Sequence, residues 1–348
     1  MSYALLILTS CLIGWLLYTI GMILPWLFGP ILAAILLKKY TTLNYHWPKW
    51  LGDLALYILG TQIGVSFTKE ILGDIANDFW SIIFLSVMII VSAVVISILF
   101  KHTTGCTTET ALLASIPGAL SQMIVMAEEN KRANILIVTL TQTSRLLFVI
   151  MIVPFISKMT SKDVSQGNIH KAKDMFDLLN FQQIIIIVLM IAAAIFILKY
   201  IHFPVPDLLG PTFAIIIWNL TTGLNFSVPY SLISIAQILF GVRIGLQMYD
   251  LSNQINRKLF YGIAIQNILL FSAALLLSLL FSAFSTHQFN DIFLSAAPGG
   301  MAQIVIVAIE TGASVAMISS YHIFRIFIIL LVVSPLLSYY LKRRMEQA

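Results

Sequence analysis

Two short stretches of this sequence combine residues that a continuous helix avoids: Ser115-Ile-Pro-Gly-Ala-Leu-Ser-Gln122 and Ala296-Ala-Pro-Gly-Gly-Met-Ala-Gln303. Proline removes a backbone donor and breaks the preceding turn, and glycine lets the chain leave helical geometry. Inside lipid, the N–H and C=O groups so freed must find partners in protein or in a water-filled cavity. Two half-helix ends meeting there would present their dipoles to an ion or a carboxylate. A single Pro-Gly would read as a kink; its recurrence, with glutamine four residues on, reads as a site. Pro117, Gly118, Gln122, Pro298, Gly299, Gly300 and Gln303 are therefore candidate substrate- or ion-binding residues.

Glu129 and Glu310 close these stretches at matched positions. A carboxylate at membrane depth is a candidate proton or cation carrier, because low dielectric favours its neutral form. Glu310 has apolar runs on both sides, whereas Glu129 sits in the charged string Glu128-Glu129-Asn130-Lys131-Arg132 and also reads as an interfacial helix end. Arg145 and Arg325 lie near the middle of the last apolar segment of each half, too deep to reach the interface comfortably. A central arginine costs about 2.5–3.5 kcal/mol to insert, so each needs a partner: a carboxylate such as Glu129 or Glu310, or an anionic substrate. Gln62 and Arg243 share one position of the repeat and add weaker polar lining. The glycine pairs Gly60/Gly64 and Gly241/Gly245 permit close helix packing.

The elements that must hold these residues follow from composition. Of 348 residues, 59% are hydrophobic and only 10% charged, with a mean hydropathy of +0.95. A soluble domain carries about 25% charged residues, so too little polar surface is present to face water all round. Cys11 and Cys106 stand far apart, and no histidine or cysteine spacing suits a metal. Phosphate-binding loops and nucleophile elbows are absent, which points away from an enzyme and from any cofactor. The net charge of +5 comes with no DNA-reading element, so direct nucleic-acid binding is not expected. The N-terminal apolar run has no basic leader and is read as a retained membrane segment.

Apolar runs fall near 4–23, 25–38, 50–67, 80–100, 110–127 and 133–156, and again near 182–200, 205–221, 230–247, 259–284, 291–309 and 314–338. A shift of 181 residues lays Gly29-Pro30 on Gly210-Pro211, Gly60 and Gly64 on Gly241 and Gly245, and Pro117, Gly118, Gln122 and Glu129 on Pro298, Gly299, Gln303 and Glu310. Arg145 and Arg325 agree to within one residue, while Pro154 falls on Pro335. The chain thus divides into a membrane repeat over 1–156, a polar linker over 157–181 and a second repeat over 182–348. Matched loops carry opposite charge: Lys38, Lys39 and Lys49 have no basic counterpart around Thr221–Pro229, and Arg257 and Lys258 face Lys69 amid acids. Basic residues mark the cytoplasmic side, so the halves are expected to be inverted, which requires an odd number of crossings and makes the Pro-Gly segments re-entrant or broken. Lys158, Lys162, Lys171 and Lys173, against Asp163, Asp174 and Asp177, then fall outside, the weakest point of that assignment.

Together these features resemble the bacterial AbrB-type membrane protein family, whose members carry two copies of one membrane domain. The resemblance rests on Trp26-Leu-Phe-Gly-Pro30 with Ile116-Pro-Gly-Ala119, and on Leu208-Leu-Gly-Pro211 with Ala297-Pro-Gly-Gly300. It covers almost the whole chain, and Ala119 departs from the second glycine of the pattern. The family is labelled a regulator of gene expression and in places an ammonia monooxygenase; this sequence has no copper ligand set for the latter. The resemblance also implies kinship with antiporters and symporters built from inverted repeats with crossed broken helices. The expectation is an all-α polytopic membrane protein with about 10 transmembrane helices plus two broken segments, in the inner membrane of a bacterial cell. Its expected partners are the lipid bilayer, a small solute, for which an organic anion is the leading guess, and a coupling H⁺ or Na⁺. A homo-oligomer is left open. The rival expectation is a membrane regulator that transports nothing and acts on gene expression through a ligand or partner.

Overall fold

A computed structural model of the protein describes residues 2–41, 45, 47–118, 120–130, 132–160, 174–252 and 256–346. Ala119, Lys131, Lys162, Asp163, Lys171 and Lys173, which enter the sequence argument, lie outside the described residues. The first half forms α1 (Ser2–Thr19), α2 (Pro25–Tyr40), α3 (Lys49–Val65), α4 (Lys69–Asn77), α5 (Phe79–Thr104), α6 (Thr108–Ser115), α7 (Leu120–Glu129) and α8 (Ile135–Thr160). A single turn, α9 (Met175–Leu178), precedes the second half. That half comprises α10 (Phe181–Tyr200), α11 (Pro206–Thr222), α12 (Tyr230–Ser252), α13 (Arg257–Ser282), α14 (Phe289–Ala296), α15 (Met301–Thr311), α16 (Val315–Ile328) and α17 (Ser334–Glu346). No named strand occurs among the described residues. The protein is an all-α polytopic membrane protein: six of its helical stretches are long and apolar enough to cross a bilayer, and Phe181–Tyr200 buries only Ile187 and Leu198. The amphipathic α4, which buries nothing, is an element that the apolar runs did not indicate.

Helix boundaries repeat at the sequence offset. Prolines open α2 and α11, where the missing N–H costs nothing. The preceding turns match even in their strain: Gly21 (φ 75) corresponds to His202 (φ 54), and Leu24 (φ 54) to Val205 (φ 49). Left-handed backbone at non-glycine residues is uncommon, so its recurrence at paired positions marks one inherited turn. The one-residue slip between Arg145 and Arg325 also has a physical origin. Nine residues separate Arg145 from Pro154 and ten separate Arg325 from Pro335. The extra residue is taken up by a π-helical turn at Ile329–Val333, just before Pro335.

The chain forms two compact units, each drawing helices from both halves of the sequence. Unit 1 comprises Met1–Asp74, Lys162–Asn253 and Val305–Ala316. Within it α2 packs on α12 and α3 on α11, so each half's third helix lies on the other half's second. The glycine pairs make this possible. A Cβ on Gly241 would fall 2.6 Å from the Leu27 carbonyl oxygen, and on Gly245 2.6 Å from that of Ile31. The exchanged contacts are the same: a Cβ on Gly60 would run into the Leu208 carbonyl oxygen, and one on Gly64 would fall 2.7 Å from that of Thr212. Thr212 Oγ1 then donates to the Gly60 carbonyl (3.0 Å) and Asn219 Nδ2 to that of Gly64 (3.3 Å). Interhelical bonds of this kind and direct backbone contact hold helices together where lipid offers no hydrophobic drive.

Unit 2 comprises Ile75–Ser161, Gln254–Ile304 and Met317–Ala348. Its α5 and α13, equivalent helices of the two halves, pack on each other, with Gly262 against Thr104. A buried cluster of Ile82, Leu85, Ile89, Ala274, Ile292, Ala296, Met317 and Tyr321 ties them to α14 and α16. Both breaks, at Ile116–Gly118 and Ala297–Gly300, and both deep arginines belong to this unit.

Candidate substrate and ion site

The Pro-Gly stretches interrupt helices as the sequence predicts. α6 stops at Ser115 and α14 at Ala296, each followed by an extended residue, Ile116 (ψ 121) and Ala297 (ψ 132). Pro117, Pro298 and Gly299 are buried, while Gly118 and Gly300 are half-buried. Gly118 takes φ 109, which residues with a Cβ rarely adopt. The chain resumes as α7 and α15. The first break belongs to a hairpin whose two ends meet: Thr107 Oγ1 donates to the Arg132 carbonyl (2.8 Å), and the Asn134 N–H to Thr110 Oγ1 (2.9 Å).

The breaks strand the last carbonyls of α6 and α14, and these carbonyls are where the arginines go. Arg145 Nη1 donates to the Ser115 carbonyl (3.2 Å) and Nη2 to Gln142 Oε1. Gln142 Nε2 in turn donates to the carbonyls of Leu113 (2.8 Å) and Ile116 (3.0 Å). In the other half Arg325 Nη1 donates to the Ala296 carbonyl (3.4 Å) and Nη2 to that of Ala297 (3.1 Å). His322 completes the match: Nε2 donates to the Leu294 carbonyl (3.1 Å), and Nδ1 accepts from Arg325 Nη2 (2.6 Å). That network assigns the histidine tautomer.

Pairing of Arg145 or Arg325 with Glu129 or Glu310, one of the two sequence expectations, is therefore corrected. The partners are backbone carbonyls, which the breaks expose and which carry the negative ends of the half-helix dipoles. Both arginines are almost fully buried, at 3% and 2% exposure, and neither forms an ion pair among the described residues. Gln142 and His322 are site residues that the candidate set missed. The signal was available: each stands three residues before its arginine, on the same helix face.

The two breaks also reach across the halves within unit 2. A Cβ at Gly118 would lie 3.2 Å from Ile329 Cδ1 and 4.0 Å from Arg325 Nε, and one at Gly299 would lie 2.7 Å from Val149 Cγ1. Each break thus packs on the long helical segment that carries the other half's arginine. Gln303 is buried, with its side chain folded over Gly300, and Gln122 is half-buried on α7.

The glutamates are not equivalent. Glu129 is exposed at the end of α7. Glu310 is half-buried in unit 1, where Oε1 accepts from Tyr230 Oη (3.1 Å) and Gln237 Nε2 (2.8 Å). Gln237 is fully buried, and its own Oε1 has no partner. In the first half the positions of Tyr230 and Gln237 are held by Lys49 and Leu56, so this carboxylate cradle exists once. Arg243 packs on Gly52 of α3, and Gln62 is half-buried on the same helix. Among the described residues no three His, Cys, Asp or Glu side chains come together.

Comparison with known proteins finds relatives over most of the chain. The family model described as "Transition state regulatory protein AbrB" matches residues 26–341. "Uncharacterized protein YhjN" of Bacillus subtilis (strain 168) is 23% identical over 346 residues, covering 92% of this chain and 88% of the relative. "Putative regulator AbrB" of Escherichia coli (strain K12) is 24% identical over 310 residues, covering 88% and 86%.

Proposed function

Because the chain belongs to the AbrB family and brings two helix breaks into one unit, we propose that it is a secondary transporter of a small solute, coupled to H⁺ or Na⁺. The observation that carries this reading is the crossed pair of breaks, with their carbonyl ends held by Arg145 and Arg325. Irregular backbone at membrane depth survives only in protein or beside an aqueous cavity, and broken helices from paired repeats are how secondary transporters build midplane sites. Glu310 is the coupling carboxylate in this reading. Tyr230 and Gln237 donate to its Oε1, the oxygen for which a proton or cation would compete. No catalytic step is assigned to the chain, and its place is the inner membrane of a bacterial cell.

The halves are inverted in this proposal. Support comes from the exchange of contacts in unit 1, which has two-fold character, and from the α6–α7 hairpin, whose ends return to each other. Five crossings per half (α1, α2, α3, α5 and α8 in the first) then reverse the second half. In a Cys-free background, Asn77→Cys and Lys258→Cys occupy matched exposed positions. An impermeant maleimide is expected to label Asn77→Cys from outside and Lys258→Cys only after the membrane is opened; labelling of both from one side would refute the inversion.

Transport itself is tested in proteoliposomes under an imposed pH or Na⁺ gradient, with a panel of small solutes. Gradient-driven flux is expected in the wild type, and Glu310→Gln is expected to lower it by at least about tenfold, because a neutral amide cannot exchange a proton. Pro298→Ala should slow it while leaving the folded yield intact. The printed name of the E. coli relative favours a second reading, a membrane regulator acting on gene expression through a ligand or partner. Absence of flux across the panel, with a gene-expression effect retained in cells, would establish that reading instead.

A further inference from the structure

The arginine network leaves an imbalance of charge. Arg145 and Arg325 bring two full positive charges into the interior of unit 2, and the carbonyl ends of α6 and α14 return only about half a charge each. The α7 and α15 N-termini, which open from the same breaks, add further positive potential. Glu109 and Asp78, acidic side chains of this unit, are engaged with Arg132 (3.9 Å) and His287 (2.6 Å). An uncompensated excess of positive charge in low dielectric is costly, and a bound anion is its direct remedy.

The donors that remain are also specific. The Nη groups of Arg145 are occupied by Ser115 and Gln142, and those of Arg325 by Ala296, Ala297 and His322. Arg145 Nε is buried without an acceptor, in a side chain only 3% exposed. Gly118, in a backbone conformation that disfavours any side chain, would place a Cβ 4.0 Å from Arg325 Nε, so the glycine keeps a side chain away from that edge. The surfaces against the two breaks, Ile329 and Val149, are apolar.

We propose that the crossed breaks bind an apolar monocarboxylate, its two oxygens accepting from Arg145 Nε and Arg325 Nε and its hydrocarbon body lying along the apolar face of the breaks. Two single donors match the two oxygens of one carboxylate, whereas a phosphate or sulfate dianion would leave oxygens unpaired. Gln142 and His322 are positioning residues in this arrangement, since each fixes the guanidinium beside it. The assignment rests on the transporter reading only for what happens after binding, because it makes the carboxylate the transported solute.

The test is binding to the purified full-length protein in detergent, read as the shift in unfolding temperature with benzoate or butyrate. Benzamide, butyramide, inorganic phosphate and sulfate at matched ionic strength serve as comparisons. Saturable stabilisation by a carboxylate but not by its amide is expected, with half-saturation at least about tenfold weaker in Arg145→Gln and Arg325→Gln. Should either variant fail to fold, the wild type supplies the second measurement: titration calorimetry is expected to show saturable binding of benzoate and none of benzamide. No saturable effect, equal effects of acid and amide, or stabilisation by phosphate or sulfate alone would each overturn the proposal. Carboxylate binding without flux of any solute would retain this site and remove the transporter reading. Flux of a cation or neutral solute that Glu310→Gln abolishes, with no carboxylate bound, would do the reverse.

Discussion

Expressed alone, neither residues 1–160 nor residues 174–348 should yield folded protein, while the two fragments expressed together in one membrane should recover it. The reason lies in how the duplicated sequence is used. In unit 1, α2 rests on α12 and α3 on α11, so the close contacts of Gly60, Gly64, Gly241 and Gly245 all join one half to the other. A fragment left alone would turn Gly60 and Gly64, or Gly241 and Gly245, toward lipid, where nothing replaces the close packing and the Thr212 and Asn219 hydrogen bonds. Unit 2 would lose the α5–α13 contact in the same way. Size-exclusion chromatography in mild detergent gives the answer. Only the co-expressed pair should run as a single symmetric peak, and each fragment should co-purify on the other's tag. A lone half that gave a symmetric peak with the full protein's unfolding temperature would show that the glycine contacts do not govern assembly.

Much of this architecture is legible in the residues, because the repeat is written in glycine and proline rather than in interchangeable aliphatics. Gly29-Pro30 and Gly210-Pro211, the Pro-Gly breaks and the glycine pairs each mark a place where backbone geometry leaves no other choice of residue. The partners of those glycines are not legible. Chain order says that α3 follows α2, but it does not say that α3 packs on α11. The arginines show the same limit at finer scale. Charge reasoning looks for a carboxylate, yet a helix broken inside the protein makes its own negative end, and Ser115, Ala296 and Ala297 offer it nearer at hand. The slip between Arg145 and Arg325 looked like imperfect alignment, and only the π-turn at Ile329–Val333 explains how the register recovers by Pro335. Glu310 stood out for its apolar setting, but the cradle of Tyr230 and Gln237 comes from a helix about 70 residues away in sequence, beyond any local pattern.

Replacing Arg325 with methionine should lower the unfolding temperature more than the same change at Arg145, although the two arginines occupy equivalent places. Arg325 supplies the bonds to both the Ala296 and Ala297 carbonyls, and it also donates to His322 Nδ1. Its loss strands two carbonyls and one ring nitrogen. At Arg145 the load is shared: Gln142 Nε2 already holds Leu113 and Ile116, so only the Ser115 carbonyl and Gln142 Oε1 lose a donor. Each buried acceptor left unpaired costs about 1–3 kcal/mol, so the Arg325 change should cost roughly 3 kcal/mol or more and the Arg145 change less. Removing a buried charge that has no carboxylate partner returns part of this in both variants, which narrows the totals but keeps their order. A companion variant, His322→Gln, separates the bonding from the charge. Glutamine can donate to the Leu294 carbonyl through Nε2 and accept from Arg325 through Oε1, as Gln142 does in the other half. It should therefore leave stability close to wild type, whereas His322→Leu should not. Unfolding temperatures in one detergent decide the matter. Equal losses at Arg145 and Arg325, or a His322→Gln variant as unstable as His322→Leu, would mean that the carbonyl ends are not what these side chains hold.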